Sequence, residues 1–85
     1  MQVKPLNKYL QKYVVKRNLA RKFEKQLRIL VENLSYPSLN LELLEPKDAG
    51  RYSFRIDKKY RAIFIFTKPD EIEIVDINPH YEWIN

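Results

Sequence analysis

Apolar positions in the first third of the chain repeat with the spacing of amphipathic helices. The first stripe consists of Leu6, Leu10, Tyr13 and Val14. It predicts a helix over roughly residues 5–16. A second and longer stripe consists of Leu19, Phe23, Leu27, Leu30, Val31 and Leu34. It predicts a helix that Asn18 caps at its N-terminus and that Pro37 ends. The short link between the two helices predicts an antiparallel helical hairpin.

Beyond Pro37 the apolar period changes from that of a helix to that of a β-strand. Leu41 and Leu43 first alternate with Glu42. Longer alternating or apolar segments then predict three strands joined by tight turns, over residues 51–57, 60–66 and 72–77. Two helices followed by hairpin-linked strands predict an α+β fold with an antiparallel sheet. The length of 85 residues fits one small domain, which we place at residues 1–85.

The alternation also separates the two faces of the predicted sheet. Phe54 and Ile56 point to the face that we expect the helices to cover, whereas Ser53 and Arg55 point to the other. Arg61 is the one charge in an otherwise apolar strand, and a charge there costs free energy unless it is paired or exposed at a site. If the strands pair in register, Ser53, Arg55 and Arg61 share the second face.

The charge of the chain is concentrated at one end. Residues 1–30 hold nine Lys or Arg and one acid, whereas residues 31–85 carry a net charge of −3. The total is +5. A basic half of this kind favours polyanionic partners such as nucleic acid or the ribosome. The alternative is that helical Lys and Arg merely solvate an outer face.

Composition excludes several kinds of site. The chain has no Cys, one His and one Gly. These counts exclude disulfides, thiolate nucleophiles, Cys-based or poly-His metal sites and phosphate-binding loops. The first thirty residues lack a long apolar run, so we expect a cytoplasmic protein without a membrane partner. What remains is one His beside a Tyr and several strand arginines, the groups that metal-free RNA cleavage uses, and we expect no metal and no cofactor.

The succession of motifs resembles the RelE/ParE superfamily of bacterial toxins, and is nearest to its RelE- and YoeB-like branch. The matching segments are residues 36–39, 43–44, 52–56, 59–64 and 72–77 and the pair His80-Tyr81. The most specific of them is Ser-x-Arg-Ile-x-x-x-Tyr-Arg, which begins at Ser53. The resemblance implies a microbial-ribonuclease-like fold, with a short first strand, two helices and a curved antiparallel sheet. Residues 1–4 are the only stretch available for that first strand.

The resemblance also implies a function for individual residues. Glu42 takes the position of the general base, with Glu45 as a near competitor. Arg61 matches the arginine that stabilises the phosphorane, and His80, followed by Tyr81, matches the general acid. The resemblance assigns phosphate or RNA binding to Arg55, Lys8, Lys12, Lys16, Arg17, Lys22 and Lys25. Residues 82–85 extend past the His-Tyr pair, which ends YoeB-like chains.

A toxin of this branch enters the ribosomal A site and cuts mRNA without a metal, so the implied partners are the ribosome and mRNA. A cognate antitoxin that folds on binding is implied as well, in a toxin–antitoxin hetero-oligomer. Two alternatives stay open. The first is a non-enzymatic, ParE-like inhibitor of DNA gyrase, and the second is a degenerate toxin that acts only as a binding module.

Overall fold

The two apolar stripes form two helices, as predicted. In the computed structural model, which describes residues 1–79, α1 spans Lys8–Lys16 and α2 spans Ala20–Glu32. The first helix begins at Lys8 rather than at residue 5 because Asn7 caps it. The Asn7 Oδ1 atom accepts a hydrogen bond from the N–H of Leu10 at 2.8 Å.

Asn18 does not cap α2, contrary to the prediction. Its φ of 58° lies in the left-handed region, and it closes α1 instead. The N–H of Leu19 donates to the carbonyl of Val14 at 2.7 Å, and the N–H of Asn18 donates to that of Val15 at 3.1 Å. This pair of bonds is a Schellman motif. The prediction was wrong because Asn beside an apolar stripe is favoured both at helix N-caps and in left-handed C-caps.

Five strands form one sheet in the order β1-β5-β4-β3-β2. They are β1 Gln2–Val3, β2 Glu42–Leu43, β3 Arg51–Arg55, β4 Tyr60–Lys68 and β5 Glu71–Pro79. The prediction of antiparallel pairing holds for β2 to β5, but β1 pairs parallel with β5 at the edge of the sheet. Residue alternation does not reveal β1, because two residues that lead to Pro5 are too few to show a period.

The hydrophobic core lies between the helices and the first face of the sheet. The sheet contributes Phe54, Ala62, Phe64, Ile72, Ile74 and Ile77, and the helical hairpin contributes Leu10, Val14, Leu19, Phe23 and Leu30. The ring of Phe23 stacks on that of Phe54 with the centroids 6.3 Å apart. Each buried Val, Leu, Ile or Phe side chain in this core stabilises the fold by about 1.5–3 kcal/mol relative to an exposed one. This arrangement confirms the predicted α+β class.

Polar turns join the strands at either end of β3. The β2–β3 connection contains a 3₁₀ turn over Lys47–Ala49 and ends at Gly50, whose φ of 69° favours glycine. The β3–β4 connection is held by Asp57, whose Oδ1 atom accepts from the N–H groups of Lys59 at 2.9 Å and Tyr60 at 2.8 Å. Within residues 1–79 neither helix has the length and apolar character to cross a membrane.

Candidate functional site

The second face of the sheet brings several predicted site residues together. Strand pairing places Glu42 opposite Ser53, and Arg55 opposite Arg61. Side chains directly opposite one another share a face, and so do alternate residues of one strand. The second face therefore carries Ser53, Arg55 and Arg61, as the sequence predicted, and also Glu42. A candidate base and two arginines thus occupy neighbouring strands.

Arg61 is the only buried charged residue among residues 1–79, and its side chain is 2% exposed. Its Nε atom donates to the Ser53 hydroxyl at 3.0 Å, and its Nη2 atom donates to the Ser53 carbonyl at 3.1 Å. The same Nη2 atom donates to the carbonyl of Asn40, which has a left-handed backbone with a φ of 45°. These hydrogen bonds connect the centre of the sheet to Asn40, two residues before β2 begins. They therefore position Glu42.

The electrostatic partner of Arg61 is Glu42. The Glu42 Oε1 atom lies 3.9 Å from the Arg61 Nη2 atom, and the Glu42 side chain is 47% exposed. Burial lowers the pKa of Arg61, the Glu42 carboxylate opposes that shift, and the charge of Arg55 adds to it. An arginine stays charged under such shifts because its ordinary pKa is so high. The site therefore offers an accessible carboxylate beside a fixed, buried positive charge.

Arg55 lies at the edge of this face, where it meets the basic end of α2. A shallow pocket of about 340 Å³ is lined there by Lys22, Lys25, Arg55 and Lys58, together with Gln26, Ser38, Ile56 and Asp57. Lys22 also pairs with Asp57, with the Nζ and Oδ2 atoms 3.2 Å apart. Four cationic side chains around one pocket favour an anion such as phosphate. The structure therefore brings together three of the predicted RNA-binding residues.

The other predicted RNA-binding residues lie on the helical layer. Lys8, Lys12, Lys16 and Arg17 are exposed on α1 or immediately after it. In the described part of the chain, no hydrogen bond or ion pair joins them to Glu42 or Arg61. They form a second basic surface, separate from the Arg55 pocket.

Glu45, the competitor for the role of base, lies just past β2 in the loop. Its carbonyl oxygen accepts a hydrogen bond from the Arg51 Nη2 atom at 3.0 Å. Glu45 shares a pocket of about 460 Å³ with Glu42, but only the Glu42 carboxylate is paired with Arg61. The geometry thus distinguishes the two carboxylates, because only that of Glu42 lies beside the buried guanidinium.

His80 and Tyr81, the predicted acid and its neighbour, lie outside the described residues, as does the segment 82–85. β5 runs as far as Pro79, which pairs with Tyr60 on β4. The roles assigned to His80 and Tyr81 stay predictions.

Gln26 is a supporting residue that sequence reasoning missed. It is buried in α2, and its Nε2 atom donates to the carbonyls of Ser38 at 3.0 Å and Arg55 at 2.8 Å. Its Oε1 atom accepts from the Ser38 hydroxyl at 3.4 Å. The sequence feature that could have revealed it is an amide side chain on the apolar stripe of α2, three residues after Phe23 and four before Leu30.

No group of three or more His, Cys, Asp or Glu that could hold a metal occurs within residues 1–79.

Comparison with solved structures places this fold among bacterial toxins. A YoeB/ParE toxin from Agrobacterium tumefaciens matches with a TM-score of 0.69 and 18% identity, over 95% of this chain and 100% of that chain. A chain of the YoeB-YefM complex from Staphylococcus aureus matches with a TM-score of 0.67 and 20% identity, over 91% of each chain. At such identities the likeness concerns the fold alone.

The sequence itself assigns the family. The model of the family described as "ParE toxin of type II toxin-antitoxin system, parDE" matches residues 4–82. The chain therefore belongs to this family and is a toxin of a type II toxin–antitoxin system, within the RelE/ParE superfamily that its motifs indicated. No sequence among curated proteins is similar enough to be matched to it.

Proposed function

We propose that this toxin is a ribosome-dependent endoribonuclease that cuts mRNA in the A site and so inhibits translation. The observation that carries the proposal is the pairing of the half-exposed Glu42 carboxylate with the buried Arg61 guanidinium, 3.9 Å apart on the second face. In a toxin that only binds its target, the same pair would serve only to compensate the buried charge of Arg61. Such a pair suits a reaction that moves a proton and builds negative charge at one place.

In the proposed reaction, Glu42 takes the proton of the ribose 2′-OH, and the 2′ oxygen attacks the adjacent phosphorus. The bond from phosphorus to the 5′ oxygen breaks, and His80 gives that oxygen a proton. The products are a 2′,3′-cyclic phosphate and a 5′-hydroxyl. Arg55 contacts the phosphate from the basic pocket, while the buried charge of Arg61 stabilises the developing phosphorane through space. No metal or other cofactor takes part in these steps.

We further propose that the toxin works in the cytoplasm and is neutralised by a cognate antitoxin. The YoeB-YefM structures from Staphylococcus aureus, one of them a heterotetrameric complex, support a toxin–antitoxin hetero-oligomer. The exposed lysines of α1, together with Lys22 and Lys25 of α2, are suited to ribosomal RNA. Binding to the ribosome should weaken steeply with salt, because each phosphate contact releases counterions.

Primer-extension mapping of an mRNA tests the proposal, in a reconstituted translation reaction with ribosomes and in a parallel reaction without them. We expect breaks within translated codons only when ribosomes are present. The breaks should disappear with Glu42→Gln and with His80→Ala. Glu45→Gln is the matched control and should cut like the wild type. An intact message would refute the nuclease, and breaks without ribosomes would refute the A-site mechanism.

The second candidate function is non-enzymatic inhibition of DNA gyrase, which the match to the ParE family model favours. It predicts that purified toxin inhibits gyrase in a supercoiling assay, and that Glu42→Gln leaves the inhibition unchanged. The two candidates therefore differ in whether toxicity depends on Glu42. A chain that is harmless in both assays would be a degenerate toxin that acts only as a binding module.

A further inference from the structure

Three tyrosines connect α1 to the start of β4 along one side of the molecule. The rings of Tyr9 and Tyr13, one helical turn apart, have centroids separated by 6.2 Å and tilted by 48°. The ring of Tyr13 meets that of Tyr60 edge-on, with centroids 6.2 Å apart. Tyr13 and Tyr60 are half-buried against the core, whereas Tyr9 is 68% exposed. The row therefore leads from the core to an aromatic ring in solvent. We call these three residues the tyrosine row.

Cations accompany the tyrosine row along its length. The guanidinium carbon of Arg17 lies 3.7 Å from the ring centroid of Tyr13, and Lys59 Nζ lies 5.5 Å from that of Tyr60. Lys12 and Lys16 follow Tyr9 by three and seven residues, so they occupy the neighbouring stripe of α1. α1 itself contains no acidic residue. Among residues 1–79, no ion pair joins Lys12, Lys16, Arg17 or Lys59 to an acidic group, so this surface combines exposed aromatic area with positive charge.

We infer that the tyrosine row and its cations bind single-stranded RNA, with Tyr9 stacking on an unpaired base. Protein surfaces that bind single-stranded nucleic acid combine positively charged side chains, which contact the phosphates, with aromatic rings, on which the bases stack. The positive charges here are those of Arg17, Lys12 and Lys16, and the exposed ring is that of Tyr9. An acidic peptide would satisfy the lysines but would leave the exposed ring of Tyr9 without a planar partner. The inference rests on the proposed function, which already assigns the α1 lysines to RNA, and it adds Tyr9 as the residue that favours an unpaired base. No hydrogen bond or ion pair among residues 1–79 joins this surface to Glu42 or Arg61.

Fluorescence anisotropy with a labelled, fully 2′-O-methylated single-stranded oligonucleotide tests the inference without ribosomes. This RNA has no 2′-OH and cannot be cut, so binding is measured apart from catalysis. Stacking contributes about 1–3 kcal/mol per base, so Tyr9→Leu should raise the Kd by about 5- to 150-fold. Tyr9→Phe keeps the ring and should bind within about twofold of the wild type. Tyr36→Leu is the matched control, an exposed tyrosine away from α1, and should leave the Kd unchanged.

Three outcomes would overturn the inference. The first is that the Tyr9→Leu variant binds the single strand as tightly as the wild type does. The second is that the wild type binds an RNA duplex, whose bases are already stacked, as tightly as the single strand. The third is that Tyr9→Leu weakens the binding of a poly-glutamate peptide as much as it weakens the binding of RNA. The last would assign the surface to a protein partner. The proposed function is tested separately. If the wild-type toxin does not cut mRNA in the translation assay but binds RNA in a Tyr9-dependent way, the nuclease is rejected and the RNA-binding surface is retained.

Discussion

Arg61 donates two hydrogen bonds to the single residue Ser53, from Nε to the hydroxyl oxygen at 3.0 Å and from Nη2 to the carbonyl oxygen at 3.1 Å. Both residues are essentially buried on the second face. A third bond, to the carbonyl of Asn40, reaches the segment before β2. The guanidinium is therefore part of the framework of the site as well as a source of charge. Loss of function in an Arg61 variant has two explanations, which stability measurements separate.

We expect Arg61→Ala to lower the free energy of unfolding by about 2–4 kcal/mol, because it removes a buried side chain that donates to Ser53 and Asn40 and pairs with Glu42. Arg61→Lys should recover part of this loss, since an ammonium keeps the charge but lacks the planar fork. Urea unfolding followed by circular dichroism measures both effects. In a double-mutant cycle, Ser53→Ala and Arg61→Ala should show a coupling of about 1–2 kcal/mol. Additive losses would contradict the pairing.

Gln26→Leu should destabilise the protein by about 1–3 kcal/mol, because it removes the donor to the carbonyls of Ser38 and Arg55. Gln11→Leu is the matched control. Gln11 also donates its amide to a carbonyl, that of Leu6 at 2.7 Å, but the bond is exposed. Water replaces an exposed bond, so the loss should be under about 0.5 kcal/mol. Equal losses in thermal unfolding of the two variants would argue against the supporting role of Gln26.

Substitutions at Asn18 distinguish a left-handed C-cap from a helix N-cap. Asn18→Gly should preserve stability, because glycine adopts a φ of 58° without steric cost. Asn18→Ser should lose about 1 kcal/mol, since serine tolerates this conformation poorly. An N-cap would respond in the opposite order, because serine is a favourable N-cap residue. A higher melting temperature for Asn18→Gly than for Asn18→Ser supports the left-handed C-cap, and the opposite order supports an N-cap.

Asp57 should make stability depend on pH in the acid range. Burial opposes its ionisation, but hydrogen bonds from the Tyr60 and Lys59 N–H groups and from Lys22 outweigh it, so the pKa of Asp57 is lowered below its ordinary value of 3.8. A lowered pKa means that the unfolded chain takes up its proton first as the pH falls. The stabilisation is therefore complete well above pH 3.8 and is lost as the pH falls through the folded-state pKa.

Asp57→Asn tests this dependence, because the side-chain oxygen remains an acceptor while the titrating charge is removed. The difference in unfolding free energy between wild type and variant should be constant from about pH 5 to 7 and should shrink below about pH 4. Lys22→Ala removes only the ammonium partner of Asp57 and should reduce the acid dependence without abolishing it. A wild-type advantage that grows toward low pH would contradict the assigned direction.

Local patterns in the sequence were enough to predict the two helices, the strands β3 to β5 and the sharing of one sheet face by Ser53, Arg55 and Arg61. These features depend on the periods of apolar residues and on pairing between neighbours in the chain. Lys22, Lys25 and Arg55 were each predicted to bind RNA or phosphate, but the pocket that they share depends on the packing of α2 against the end of β3.

The tertiary structure alone decided the features that join distant segments. The carbonyl of Asn40, the amide of Gln26 and the preference for Glu42 over Glu45 beside Arg61 all depend on contacts between residues at least twelve positions apart in sequence. The left-handed turn at Asn18 likewise lacks a distinctive local signal, and the two-residue strand β1 was implied only by the family resemblance. Sequence periodicity records which side of an element is buried. The partner of a buried polar group is set by long-range packing, because any nearby carbonyl or hydroxyl satisfies the same donor.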